Sequence, residues 1–335
     1  MTRDVDFPPL RNGVDYLLDA VQRLRGTPDA KNLKYAVLHL HAGMEVLLKY
    51  RLICEDWRLI LDDEPASVTE QDYVAGKFRS IGVSKTIQRL NDLEGITVTS
   101  SQKRAVTALE KLRNQLQHHG LSSTAQAVEA QAVKALTFLM HFIGQYITPD
   151  DRLDPSDKKF LERTLPDIRG PLGEIKALVE TRMQDLRPVL EAVAKTWCPE
   201  CGQPAVLLAS EGVAAPANIP QHEQPRCAFC TRSWPSRKDY VEDFTFFNLG
   251  LSDYGVADGG DPPTSTCEQC YEDMVVSFDF NTGNHGTSYE ARCFACEEEF
   301  NDVCGICHQQ PIYNPNVGEG CDFCSACTET VFNKD

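Results

Sequence analysis

Thirteen of the fourteen cysteines in this 335-residue chain fall after residue 197, and nearly all of them stand in C-x-x-C pairs. Each such pair folds as a tight turn that aims two sulfurs at one point, and two turns complete a tetrahedron around a Zn²⁺ ion. Cys198 and Cys201 with Cys227 and Cys230 form a first candidate site, the pairs being 25 residues apart; Cys267 and Cys270 with Cys293 and Cys296 form a second, 22 residues apart. Four thiolates close the coordination shell, so these metals are expected to be structural rather than catalytic. A secreted chain would use such cysteines as disulfides, but the first residues are polar with no apolar run behind them, and no stretch approaches a membrane span. The expectation is a cytoplasmic protein with reduced thiols, no membrane partner and zinc as its cofactor.

A third site begins with Cys304 and Cys307, but its second half is overfull, with Cys321, Cys324 and Cys327. The segments after Cys296 and after Cys327 match in character, which favours Cys324 and Cys327 as ligands. Cys321 is then a spare thiol or an alternative ligand. About three zinc ions are expected in all. Short apolar runs between turn residues read as small β-hairpins without a large core, so metal must supply stability there. This half resembles tandem zinc ribbons, which implies three small β-rich modules at 197–236, 237–300 and 301–335. It is also acidic: residues 197–335 hold 6 Lys/Arg against 22 Asp/Glu, so the whole net charge of −16 sits in it. Gripping a phosphate backbone relies on Lys and Arg, which argues for a protein partner on this array rather than nucleic acid. Phe229, Trp234 and Phe294, aromatics near the knuckles, are expected to be miniature-core residues rather than base-stacking platforms.

The first half is neutral, with 27 residues of each sign, and reads as helices. Pro8-Pro9 opens one that Gly26 closes, and Thr27-Pro28-Asp29 caps a second expected to run to about Ile60. Leu33, Val37, Leu40, Met44, Leu47 and Leu48 recur on it at steps of three and four, making one buried stripe. Residues 61–82 read as irregular, Ser84–Leu93 as a short helix, Ser100 to Gly120 as another, and Ser123 to Ile147 as the last. Four main antiparallel helices make a bundle over 1–148. Pro166, Gly170-Pro171 and Pro188 predict short broken helices in a connector over 149–196. On the second helix His41, Glu45 and Lys49 stand four apart, either as a solvated stripe with a Glu-to-Lys pair or as the lining of a cleft.

The most informative short segment is Arg113-Asn114-Gln115-Leu116-Gln117-His118-His119-Gly120. Arg113 lies at the edge of an apolar seam, four residues after Leu109, where a charge breaks the local pattern. With its position near a helix end before the last helix, and with His39-Leu40-His41-Ala42-Gly43-Met44-Glu45 on the second helix, the segment resembles the HEPN family over about residues 8–147. Ribonuclease members carry Arg, usually a polar residue, and His after four to six intervening residues; Arg113-Asn114 with His118 fits with four, and with His119 fits with five. The resemblance implies RNA as substrate, an endoribonuclease activity without metal, a homodimer through the helical half, and a role in antiviral defence or as a toxin. The chemistry suits the residues. Histidine can act as base or acid near neutrality, and the planar arginine fork matches two phosphate oxygens. On an unbroken helix Arg113 and His118 point about 140° apart, so one protomer alone does not aim both at one phosphate. The expected fold class is thus an all-α helical bundle, HEPN-like, followed by a helical connector and three zinc-ribbon modules. A non-catalytic assembly protein with zinc-ribbon adaptors is the alternative.

Overall fold

The computed structural model describes residues 6–62, 67–191, 196–208, 224–251, 262–277 and 291–300, with 302–303, 311–312, 324 and 327. The chain divides into two compact units: Met1–Lys195 with Glu200–Ala205 and Cys227–Arg232, and Thr196–Pro199 with Val206–Arg226 and Ser233–Asp335.

The first unit is helical: α1 (Pro9–Leu24), α2 (Ala30–Ile53), α3 (Glu70–Val74), α4 (Val83–Glu94), α5 (Ser100–His118), α6 (Ala125–Phe142), α7 (Pro155–Leu172) and α8 (Lys176–Leu190). Side-chain caps open several of them. Asp29 accepts from the Asn32 amide, Thr99 and Gln102 form a capping box at α5, and Thr124 caps α6, satisfying first-turn N–H groups that have no partner inside the helix. The central element is α2, against which α1, α4, α5 and α6 all pack. Its stripe from Leu33 to Leu48 is buried as the periodicity requires. α1 and α2 approach closely because both carry glycine at the crossing. A Cβ on Gly13 would stand 2.7 Å from Leu47 Cγ, and one on Gly43 would stand 3.0 Å from the Gly13 carbonyl oxygen. Gly13→Val should therefore overpack the core and lower stability by about 1–3 kcal/mol, read as a shift in urea midpoint at unchanged m-value.

Three expectations need correction. The second helix stops at Ile53, and Trp57–Ile60 is a separate 3-10 turn. The segment after it contains α3, closed by its own Thr69–Asp72 capping box. The prolines do not break the connector: α7 runs through Pro166 and Pro171, and α8 through Pro188. Pro171 and Pro188 fall in last turns, where each still withholds an N–H from the carbonyl four residues back. An interior proline such as Pro166 costs about 3 kcal/mol, a deficit that burial of Leu161, Leu165, Ile168 and Leu172 offsets. α7 packs on α1, and α8 on α6, so both helices belong to the bundle.

A charged knot fastens one end of the unit. Arg51 contacts Glu94 at 2.6 Å and Asp150 at 3.3 Å, Arg152 reaches Asp150, Glu94 and Glu55, and the Tyr50 hydroxyl donates to Asp157 at 2.8 Å. No described helix is long and apolar enough to cross a membrane.

The described residues of the second unit form short antiparallel strands, one α-helix and the π-helical turn that follows it. β3 (Val275–Ser277), β4 (Ala291–Cys293) and β5 (Glu299–Phe300) form a sheet in that order, with Val275 opposite Cys293 and Ala291 opposite Phe300. Its core is small: Cys267, Val275, Ala291, Cys293 and Phe300. Helix α9 (Arg237–Phe244) adds an aromatic group in which Trp234 meets Tyr240 edge-on at 4.9 Å, while Phe294 lies 5.8 Å from Tyr240 and 5.6 Å from Phe244. Short pairs β1 (Val206–Leu207) with β2 (Arg226–Cys227), and β6 (Asp302–Val303) with β7 (Pro311–Ile312), complete the described strands. The observed fold is mostly helical, with small antiparallel strand pairs and cysteine clusters confined to the C-terminal region.

Candidate functional site

Two four-cysteine centres form where the spacing places them. Cys198, Cys201, Cys227 and Cys230 bring their sulfurs within 4.8 Å of one another, as do Cys267, Cys270, Cys293 and Cys296. The sulfurs of Cys201 and Cys227, of Cys267 and Cys296, and of Cys270 and Cys293 are each 3.7 Å apart. That is the edge of the right tetrahedron: four metal–sulfur bonds of about 2.3 Å give edges of about 3.8 Å, whereas a disulfide would bring two sulfurs to about 2.05 Å. Both centres can bind zinc.

The local fold shapes each sulfur pair the same way. The residue after the second cysteine takes the left-handed conformation in all four turns: Gly202 (φ 68°), Thr231 (67°), Tyr271 (62°) and Glu297 (67°). This lets the amides of Thr231, Tyr271 and Glu297 each donate at 2.9 Å to the carbonyl of the first cysteine, four residues back. Amides of Cys230, Gln269 and Ala295 point at the sulfur of the first cysteine at 3.4 Å, and such donors favour the thiolate a metal needs. Only Gly202 is a residue for which this conformation carries no steric cost. Tyr271 is 81% exposed, so Tyr271→Gly forfeits little burial and should raise the thermal stability of its module by roughly 0.5–1 kcal/mol.

The surroundings of the two centres differ. All four sulfur-bearing residues of the first are buried, and its second turn is held within the helical unit. Arg182 donates to the Ala228 carbonyl at 2.9 Å and lies over the Phe229 ring, and Thr231 Oγ1 donates to the Met140 carbonyl. Gly173 makes room for the first turn, since a Cβ there would come within 2.2 Å of the Cys201 carbonyl oxygen. In the second centre Cys296 is exposed and Cys270 half-buried. A chelator should accordingly strip the second centre first, seen as two kinetic phases of zinc release. Phe229, Trp234 and Phe294 are at most 1% exposed, core residues rather than stacking platforms. At the third cluster Cys324 is buried and Cys327 half-buried, a pair that can contribute to zinc binding; Cys304, Cys307 and Cys321 lie outside the described residues.

The second candidate site lies in the helical unit. α5 is unbroken from Ser100 to His118, with His119 as its C-cap and Gly120 in the left-handed conformation after it. Arg113 is half-buried, and its Nη1 donates to Asn114 Oδ1 at 2.7 Å; Asn114, His118 and His119 are exposed. The continuous helix keeps Arg113 and His118 about 140° apart around its axis. His118 and His119 place their ring centroids 6.2 Å apart.

What α5 meets on α2 is more specific than the pattern of either helix. His41 is only 4% exposed, and its Nε2 is buried with no hydrogen-bond partner. Burial pushes its pKa below the ordinary 6.5; the Arg113 guanidinium pushes it further down, while Glu45 and Glu110 pull it back up. Lys49 is 9% exposed and bonds Glu45 at 2.6 Å and Ser80 Oγ at 2.9 Å. The stripe is therefore not solvated, although the Glu45–Lys49 pair forms, and Glu45 is occupied as the partner of Lys49. Sequence reasoning did not single out Glu110, three residues before Arg113 on the same helix, and nothing in the periodicity of α5 flags it.

A buried polar atom without a partner costs about 1–3 kcal/mol, and a histidine held neutral adds a pH term. Because the folded pKa of His41 is depressed, its contribution to stability is complete above the unfolded value of 6.5 and falls as the pH drops below it. His41→Leu should make the loss of stability between pH 7 and pH 5 shallower, as measured by thermal melts across that range.

Comparison with protein-family models, with curated protein sequences and with solved structures returned no match for this chain.

Proposed function

We propose that the helical unit is a metal-independent endoribonuclease of the HEPN type, working as a homodimer, and that the zinc modules stabilise the chain and offer an acidic surface to a protein partner. The observation that carries the reading is Arg113-Asn114 with His118 at the C-terminal end of α5, immediately before α6, with Arg113 half-buried and its charge acting on the buried His41. The ribose 2′-hydroxyl attacks the adjacent phosphorus as a histidine removes its proton, and the P–O5′ bond breaks as an acid protonates the leaving oxygen. Arg113 offsets the charge that builds on the phosphorane. Since α5 directs Arg113 and His118 to different sides, the shared cleft of a dimer supplies one from each protomer. A defence or toxin role follows from the family resemblance alone, as does a cytoplasmic location from the reduced cysteines.

The test is cleavage of a mixed RNA pool in EDTA by the zinc-loaded full chain, with the products examined for 2′,3′-cyclic phosphate ends. Cleavage that disappears in folded His118→Ala while zinc content and dimerisation stay unchanged supports the reading. A folded dimer inert toward varied RNAs favours the non-catalytic assembly reading, for which the exposed Phe246 and Phe247, 54% and 66% accessible beside the acidic end of α9, are the specific observation.

A further inference from the structure

We propose that His41 is a positioning residue for Arg113: its buried Nε2 accepts an N–H from the Arg113 guanidinium and thereby fixes the fork that grips a phosphate. The identity of the gripped group rests on the ribonuclease reading; the His41–Arg113 pair rests on the helical unit alone.

Buried polar atoms are nearly always hydrogen-bonded, yet His41 Nε2 has no partner. Of the charged groups that act on His41, Glu45 and Glu110 are acceptors when ionised, leaving Lys49 and Arg113 as donors. Lys49 is already committed to Glu45 and Ser80. Arg113 commits Nη1 to its neighbour Asn114, and a guanidinium has five N–H donors. α5, which carries Arg113, packs on α2, which carries His41.

The electrostatics agree with this direction of donation. Burial and the neighbouring guanidinium both hold His41 neutral, so Nε2 is free to accept when the proton sits on Nδ1. An imidazolium there would repel Arg113 and could not accept at all. Held between Asn114 and His41, the fork would present its remaining donors in one orientation, which a long flexible side chain does not do unaided.

The experiment uses the zinc-loaded full chain and three variants: His41→Leu, which keeps bulk and removes the acceptor, His41→Gln, whose Oε1 can replace it, and Arg113→Ala. Imidazole ¹⁵N shifts report the His41 tautomer without reference to activity. The expected result is an Nδ1–H tautomer at neutral pH whose Nε2 resonance moves in Arg113→Ala. Cleavage should fall on the order of 10²-fold in His41→Leu, mostly in kcat, with melting temperature equal or higher, and His41→Gln should recover to within about tenfold of wild type. A protonated Nε2, or one that Arg113→Ala leaves unmoved, overturns the proposal. So does His41→Leu cleaving like wild type. If wild type cleaves no RNA, the ribonuclease reading fails by itself, and the nitrogen shifts still support or overturn the pair.

Discussion

Cys267→Ser should unfold the second four-cysteine module and release one equivalent of zinc, while the helical unit keeps its far-ultraviolet circular dichroism. The described part of that module buries two substantial apolar side chains in its cluster, Val275 and Phe300. Burial of each stabilises by about 1.5–3 kcal/mol, whereas ordering backbone costs about 1–2 kcal/mol per residue. Structural zinc sites of this kind bind with an apparent 10–16 kcal/mol near neutral pH, more than the two side chains contribute together. Metal content by mass spectrometry and proton spectra of the Val275 and Phe300 region read the outcome. A variant that retains native spectra after losing its zinc would show that packing, not metal, holds the module.

Arg113→Ala is expected to reduce RNA cleavage by roughly 10³-fold at unchanged zinc content, with the loss mainly in kcat. Only a cation whose interaction strengthens as charge builds on the phosphorane produces that split; a residue that merely binds substrate would raise KM instead. The fold should survive the change. Arg113 is half-buried at the end of α5, and its one described hydrogen bond is to its sequence neighbour. Arg113→Lys is the informative companion, because it keeps the charge and removes the planar fork. Rescue by lysine would mean that charge alone suffices, and would weaken the geometric role given to His41.

The paired cysteines were legible from sequence because a C-x-x-C turn is local: within four residues the backbone either aims both sulfurs at one point or does not. The buried stripe of α2 was legible for a similar reason, since helical periodicity is a property of the segment itself. Other features required the folded chain. Pro166 lies inside α7, against its local preference, because burial of the leucines around it outweighs one missing hydrogen bond and a ring clash. Thr231, Tyr271 and Glu297 adopt a backbone conformation that their side chains disfavour, because closing the tetrahedron requires it; only Cys201-Gly202 announced that conformation in advance. The spacing of His41, Glu45 and Lys49 favoured a solvated stripe and left a cleft lining as the alternative. The packing of α5 on α2 brings the Arg113 charge to bear on His41, which is buried and has its pKa lowered mainly by that burial. Sequence separation carries no information about that coupling: two amphipathic helices bury their apolar faces together, and the polar groups at the seam are set by the register of that packing.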